Sequence, residues 1–103
     1  MFANIDDIRA LLKTYPDVLV VVDCFAKWCG PCKKISPLVE RLEEEYGNRI
    51  IVRKLDVDDN PEFVEKMDIS AMPTFVFLKQ KQEVGRVIGA NMEAVHEAIR
   101  ANI

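Results

Sequence analysis

The chain has 103 residues, 50% of them hydrophobic, which is enough for one compact domain with one core. Its 14 basic and 17 acidic residues give a net charge of −3 and are scattered along the chain, so we expect no nucleic acid among its partners. Three cysteines are too few for a fold held together by disulfides, which leaves the cysteines free for chemistry.

The first segment predicts an amphipathic helix. Apolar residues recur at helical spacing over residues 5–12, Asn4 is placed to cap the helix, and acids lie in the first turn, so we expect the helix to end near Thr14. The same acids stand where a secretory signal would carry positive charge, and the longest apolar run, residues 18–22, is too short to span a bilayer. We therefore expect a soluble cytoplasmic protein without a membrane partner.

The next segment predicts a strand that is covered on both faces. A Pro-Asp turn precedes an unbroken β-branched run without the alternation of a half-exposed strand. After two cysteines, apolar residues at helical spacing predict a long helix that ends at Gly47, and Pro37 inside it predicts a kink. Cys29 and Cys32 therefore lie at the N-terminus of this helix.

The second half of the chain predicts two more helices and three more strands. Residues 50–57 read as a buried strand, and Asn60 followed by Pro61 predicts the cap and first turn of a short helix. Two short strands joined by residues 80–82 precede a final amphipathic helix. This order predicts an α/β fold, in which a mixed sheet has helices on both faces. The cysteines fall at the carboxyl end of a central strand, where open α/β sheets usually place their chemistry.

Cys29 and Cys32 enclose a Gly-Pro dipeptide and predict a reversible dithiol-disulfide pair. Attack on a disulfide needs a thiolate, and an ordinary cysteine with a pKa of about 8.5 is mostly protonated at neutral pH. The helix N-terminus would stabilise the Cys29 anion, as would the positive charges of Lys27, Lys33 and Lys34. We therefore assign Cys29 as the nucleophile and Cys32, one turn later and better shielded, as the resolving thiol.

Half of a zinc site is the alternative interpretation of the cysteine pair, because zinc takes four ligands. The only other candidate ligands are Cys24 in the central strand and His96 on the last helix, and neither is paired at ligand spacing. We therefore expect no metal. His96 is expected to be a surface residue, and Cys24 an inert, buried residue.

Asp23 interrupts the apolar strand just before the cysteines. An uncompensated buried carboxyl group has a raised pKa, and such a group could move a proton to or from Cys32. The alternative is that Asp23 ends the strand at solvent. Lys54 is a possible partner for Asp23 from the next strand, or else a solvated lysine.

Two further features flank the cysteine pair. Trp28 is either a core aromatic or an exposed lid on the disulfide, and its position beside Cys29 favours the lid. Met72-Pro73 precedes a strand, a place where a cis peptide would present a backbone edge to an extended substrate.

These residues resemble the thioredoxin family. The segments VVVDCFAKWCGPCKKISP, KLDVDDNP, MPTFVFLK and VIGAN occur in the family's order and spacing. The resemblance implies a thioredoxin fold, with a mixed sheet of four to five strands flanked by four helices and a first edge strand truncated to about residues 1–3. It also implies Cys29 as the attacking cysteine, Cys32 as the resolving cysteine, Asp23 as the buried acid and Pro73 as a cis-proline.

The resemblance further implies a protein-disulfide reductase that acts as a monomer. Its dithiol would reduce disulfides in proteins such as peroxiredoxins or ribonucleotide reductase, and thioredoxin reductase would restore it with electrons from NADPH, without a bound cofactor. The implied substrate-docking surface has these members: Trp28, Gly30, Pro31, Val57, Met72, Pro73, Ile88, Gly89 and Ala90.

Two alternatives to a reductase remain. The same surface could hold a partner while the redox state only switches the grip, without turnover. A disulfide isomerase domain is the other alternative, against which the Gly-Pro dipeptide and the absence of a secretion signal argue. The chain also departs from the family pattern. Phe25 stands where bacterial members often have tryptophan, and Cys24 replaces the usual phenylalanine. Lys81 replaces a hairpin glycine, so we consider a different turn type there.

Overall fold

In the computed structural model, which describes residues 2–103, four strands form one mixed sheet. They are β1 (Leu19–Phe25), β2 (Ile50–Asp56), β3 (Thr74–Lys79) and β4 (Gln82–Ile88). Across the sheet their order is β2-β1-β3-β4; β2 runs parallel to β1, and β3 runs antiparallel to both β1 and β4. β1 has a neighbour on each side and is buried at every residue except Phe25, so it is the doubly covered strand that its lack of alternation predicts.

Helices cover both faces of the sheet. Within residues 2–103 the α-helical segments are α1 (Ile5–Thr14), α2 (Gly30–Glu40), α3 (Leu42–Tyr46), α4 (Pro61–Met67) and α5 (Met92–Ala101), and 3-10 turns span Gly47–Arg49 and Val57–Asp59. α1 and α4 pack Ile8 and Phe63 on one side of the sheet, while α2 and α5 pack Val39 and Ile99 on the other. None of the helices in this part of the chain combines the length and hydropathy needed to cross a bilayer. The expected α/β fold is confirmed.

The predicted long helix is interrupted, but not at its proline. α2 continues through Pro37, and the break lies at Arg41, after which α3 begins. The Arg41 N–H donates to the carbonyl of Leu38, three residues back, at 3.3 Å, which tightens the end of α2. With α2 and α3 counted as one interrupted helix, four helices flank the sheet in the described residues, as expected.

Two predicted helix caps have different outcomes. Asn4 caps α1 as expected: its Oδ1 accepts the Asp7 N–H at 2.8 Å, and the Asp7 carboxylate accepts the Asn4 N–H at 2.9 Å. Asn60 precedes α4 but does not cap it, because its side-chain amide donates to the Asp56 carbonyl at 2.9 Å instead. Asn60 therefore occupies the predicted N-cap position of α4, but its side chain makes no capping hydrogen bond.

The N-terminal edge of the sheet is short, as expected. Phe2 forms an isolated parallel bridge with Lys54, and the Ala3 N–H donates to the Lys54 carbonyl at 2.9 Å. The prediction for Met1 lies outside the described residues. The truncated first strand is thus reduced to a bridge on the outer edge of β2.

The β3-β4 hairpin turns through Gln80 and Lys81. Both have positive φ, 54° and 62°, which is the pattern of a two-residue type I′ turn. The prediction that Lys81 favours a different turn type, without positive φ, is therefore wrong. The right-handed twist of the two strands favours this turn over the strain in the lysine backbone.

Candidate active site

The cysteine pair lies where β1 gives way to α2. Cys29 is the N-cap residue of α2, and the Cys32 N–H donates to the Cys29 Sγ at 3.1 Å. The two residues form a disulfide, with their Cα atoms 5.3 Å apart. Because a helix N-terminus presents unpaired N–H groups, the Cys29 sulfur occupies a position where a negative charge is stabilised.

The two cysteine residues are buried to a similar degree. Cys29 is 4% exposed and Cys32 is 6% exposed, so the prediction that Cys32 is the better shielded residue is wrong. The reason is tertiary: the Met72 carbonyl oxygen lies 3.6 Å from the Cys29 Sγ and covers it. Sequence separation from the helix start does not predict this cover.

Asp23 lies inside β1, with its Cα paired to that of Lys54 on β2. The residue is 2% exposed, and its Oδ1 has no hydrogen-bond partner in residues 2–103. Burial raises the pKa of Asp23 from 3.8 to about 6, and the positive charge of Lys54 opposes part of that rise. The alternative in which Asp23 ends the strand at solvent is therefore wrong.

Lys54 is buried beside Asp23 but makes its closest contacts elsewhere. Its side chain is 10% exposed, its ammonium donates to the Ser36 Oγ, and its Nζ lies 3.5 Å from the Glu40 Oε1. The solvated-lysine alternative is therefore wrong. Sequence reasoning missed Ser36 and Glu40; their spacing of four residues on one helix, which places them on one face, is the signal that could have found them.

Trp28 lies on the surface beside the cysteine pair. It is 67% exposed, which excludes the core alternative, and its indole N–H donates to the Asp58 Oδ2 at 3.0 Å. Asp58 lies in the turn after β2, and its N–H donates to the Asp56 Oδ1 at 3.0 Å. Sequence reasoning missed the contribution of Asp58 to the orientation of the indole.

Three segments converge around Cys29. The Met72-Pro73 bond is cis, the Met72 carbonyl contacts the Cys29 Sγ, and the Pro73 carbonyl accepts the Gly89 N–H at 2.8 Å. Of the residues predicted to form the docking surface, five are exposed, two are half-buried and two are buried: respectively Trp28, Gly30, Pro31, Ile88 and Ala90; Met72 and Gly89; Val57 and Pro73. The buried pair can offer backbone or support, but little side-chain surface.

The remaining candidates for metal ligation do not meet. Cys24 is fully buried, and burial raises the pKa of its thiol to about 12, as expected of an inert residue. His96 lies on α5 with its side chain 26% exposed, and its Nδ1 is 2.7 Å from the Tyr46 hydroxyl. No group of three possible metal ligands occurs among the residues that the structure describes.

Comparison with known proteins gives a consistent result. The thioredoxin family model matches residues 6–101. Thioredoxin-2 of Saccharomyces cerevisiae is 48% identical over 87 residues, which cover 84% of this chain and 83% of the yeast protein. Two solved structures superimpose over 99% of the chain: the reduced thioredoxin pre-protein of Schistosoma mansoni (TM-score 0.91, 44% identity, 95% of that chain) and the thioredoxin of Fasciola hepatica (TM-score 0.93, 42% identity, 97% of that chain).

These similarities agree with the chemistry of the site. The matched relatives are disulfide oxidoreductases, and the cysteine pair that such a reaction requires is present here at the start of α2. The protein is a disulfide reductase, and the chain belongs to the thioredoxin family.

Proposed function

We propose that the reduced chain transfers two electrons to protein disulfides through a mixed disulfide at Cys29. The Cys29 thiolate attacks one substrate sulfur and releases the other as a thiolate. Cys32 then loses its proton and attacks the Cys29 Sγ, which releases the second substrate thiolate and leaves the Cys29–Cys32 disulfide. The observation that carries this assignment is the N-cap position of Cys29, whose sulfur accepts the Cys32 N–H at 3.1 Å.

Asp23 accepts the proton that Cys32 must lose. Asp23 and Cys32 line the same cavity, of about 480 Å³. A carboxyl group with a pKa of about 6 is mostly ionised at neutral pH, yet it is a stronger base than an ordinary aspartate. The burial of Asp23 therefore suits it to proton transfer rather than to a structural ion pair.

Protein substrates dock across the surface formed by the three converging segments. Trp28 and Ile88 are 67% and 66% exposed and lie on the segments that converge around Cys29, so they offer a partner apolar surface next to the reacting sulfur. Gly30, Pro31 and Ala90 leave room for a substrate backbone, and the Met72-Pro73 segment lies against the reacting sulfur. An extended segment that carries the substrate cysteine fits this surface.

Each turnover leaves an oxidised chain, so two electrons must come from an external reductant. We assign this step to thioredoxin reductase, which draws on NADPH, with no cofactor bound to the chain itself. The protein works as a monomer in the cytoplasm, where dithiols are kept reduced, on substrates such as peroxiredoxins or ribonucleotide reductase. The support for these partners is the family membership alone.

Reduction of insulin disulfides tests the proposal. We expect turnover by the wild-type chain with NADPH and thioredoxin reductase, and none by Cys29→Ser or Cys32→Ser. A stable mixed disulfide with insulin should accumulate only in Cys32→Ser, because that variant retains the attacking thiol and lacks the resolving one. Wild-type chain without NADPH serves as the control, and it should stop after one equivalent.

A redox-switched binding protein would give a different result. In that case the folded, reduced wild-type chain would bind a disulfide-containing partner without turnover, and the double variant with both cysteines replaced by serine would retain its biological effect. The exposed Trp28 and Ile88 suit either function, so the rate of insulin reduction and the effect of the double variant have to separate the two.

A further inference from the structure

Ser36 and Glu40 hold the one ammonium group that opposes the raised pKa of Asp23. The Lys54 Nζ donates to the Ser36 Oγ, and the Ser36 Oγ lies 3.5 Å from the Glu40 Oε1, to which it can donate. The Lys54 Nζ also lies 3.5 Å from the same Glu40 oxygen. A hydroxyl group that accepts from an ammonium and donates to a carboxylate uses both of its hydrogen-bonding functions. We call Ser36 and Glu40 the lysine anchor.

The lysine anchor directs Lys54 away from Asp23. The two residues face each other in the parallel register of β1 and β2, where a direct ion pair would be possible. Instead, within residues 2–103 the ion-pair partner of Lys54 is Glu40, and the Asp23 Oδ1 has no hydrogen-bond partner. The phenyl rings of Phe2 and Phe25 lie 5.8 and 5.9 Å from the Lys54 Nζ and further confine it.

Ser36 shares the cavity of about 480 Å³ with both groups of the proton-transfer step. Its helix, α2, also carries Cys32, so the lysine anchor is tied to the resolving thiol by one rigid element. The titratable and charged groups that line this cavity beside Asp23 are Cys32 and Lys33 from α2, Lys54 from β2 and Lys27 from the turn after β1, and Lys54 is the charge that acts on Asp23.

We propose that Ser36 and Glu40 are positioning residues that keep the Lys54 ammonium off the Asp23 carboxylate and thereby maintain the rate at which Cys32 resolves the mixed disulfide. The proposal builds on the proton-accepting role of Asp23 proposed above. Neither anchor residue touches the reacting sulfur atoms in this role; both act through Lys54.

The direction of the effect follows from electrostatics. If the lysine anchor is removed, the ammonium of the buried Lys54 side chain is free to turn to Asp23, which faces it in the register of β1 and β2 and whose Oδ1 has no hydrogen-bond partner in the described residues. A closer positive charge lowers the pKa of Asp23, and a weaker base accepts the Cys32 proton more slowly. The attack of Cys29 on a substrate needs no proton transfer to Asp23, so that step keeps its rate.

A reaction that separates the two steps tests the proposal. Reduced chain is mixed in stopped flow with dithiobis(nitrobenzoate), a disulfide that yields two coloured thionitrobenzoate anions. The first anion reports attack by Cys29, and the second reports attack by Cys32 on the resulting mixed disulfide. We expect Ser36→Ala combined with Glu40→Gln to slow the second release about threefold at neutral pH and leave the first unchanged.

Three variants and one titration identify the cause. In contrast to Ser36→Ala, Ser36→Thr keeps the hydroxyl and should keep the wild-type second rate. Glu44→Gln, at an exposed position of α3, matches the charge change of Glu40→Gln without touching Lys54. Lys54→Met should abolish the effect of the anchor substitutions, because no ammonium is then left to move. Carbon NMR of the reduced chain should give a lower titration midpoint for Asp23 in the anchor variant than in wild type.

The outcomes distinguish this proposal from the one it builds on. Wild-type second-release rates in the anchor variant, an unchanged or raised Asp23 midpoint, or a slowing that persists in Lys54→Met would each overturn the lysine anchor while Asp23→Asn still slows the second release. An Asp23→Asn variant with a wild-type second rate would overturn the proton-accepting role of Asp23 and the anchor with it.

Discussion

At the scale of single residues, the site depends on polar groups held in apolar surroundings. Asp23 lies in β1 between Val22 and Cys24, which are both fully buried. One oxygen of the Asp23 carboxyl group accepts no hydrogen bond from the described residues. Such a group costs folding free energy whenever it is charged. The cost is consistent with a role in proton transfer, since a carboxylate kept only for stability would be paired.

Replacement of Asp23 by asparagine should stabilise the chain at neutral pH. Since the folded-state pKa of about 6 lies above the ordinary value of 3.8, the folded chain binds the proton more tightly than the unfolded chain. The contribution of this group to stability is therefore complete below pH 3.8 and is lost as the pH rises through about 6. We expect Asp23→Asn to raise the free energy of unfolding by about 3 kcal/mol at neutral pH and by little in acid.

Urea denaturation as a function of pH measures this difference. Asp59→Asn, at an exposed site in the turn after β2, removes the same charge and should show no comparable pH-dependent gain. Equal stabilities of wild type and Asp23→Asn at neutral pH would mean that the Asp23 carboxylate is compensated in the folded chain.

At the scale of elements, local sequence signals and tertiary demands compete in the β3-β4 hairpin. The turn requires positive φ at both central residues, yet Gln80 and Lys81 occupy it. Each non-glycine residue in the left-handed region costs roughly 1–2 kcal/mol. The pairing of β3 with β4, from Thr74 opposite Ile88 to Lys79 opposite Gln82, outweighs this cost.

Glycine at position 81 should therefore stabilise the hairpin. Lys81→Gly removes the steric cost of the left-handed backbone, and the greater freedom of glycine in the unfolded chain offsets part of that gain. We expect a net increase of about 0.5–1 kcal/mol in the free energy of unfolding, measured by thermal or urea denaturation. Lys81→Ala, which keeps the Cβ atom, is the matched control and should show no such gain; an equal gain in both variants would point to the lysine side chain instead.

At the scale of the whole molecule, the two helical layers support the site from opposite faces of one sheet. α5 lies far along the chain from the cysteines, but its Val95 and Ile99 are fully buried in the same cluster as Ile35 and Val39 of α2. The C-terminal helix therefore shares a core with the helix that carries the Cys29–Cys32 pair and contributes to the stability of that layer.

Truncation of a side chain in this shared layer should lower stability without changing the chemistry. Ile99→Ala removes a fully buried side chain and should cost about 3 kcal/mol of unfolding free energy. At temperatures where the variant stays folded, its rate of insulin reduction should match wild type. Ile103→Ala, at a residue 41% exposed, should have little effect on stability, and a comparable loss there would contradict the packing explanation.

Most elements of the fold were predictable because their signals are local. Apolar periodicity and the Asn4 cap predicted α1, and the unbroken β-branched run predicted β1 as an internal strand. The interruption of the long helix at Arg41 was not predictable, because it goes with a hydrogen bond from Arg41 to the Leu38 carbonyl that apolar periodicity does not report. The side-chain partner of Asn60 was missed for the same reason.

The amino-acid sequence by itself determined the class of fold and the reacting pair, because hydrophobic spacing, caps and a two-residue gap between cysteines act within a few residues. The sequence left alternatives open for the burial of Asp23 and the exposure of Trp28, and the tertiary structure decided both. The tertiary structure alone placed the Met72 carbonyl against Cys29, which lies 43 positions away. It also decided that Lys54 bonds Ser36 across 18 positions, which no local pattern specifies. Burial and long-range partners set the electrostatics of the site, and both exist only once the sheet and its helices have packed.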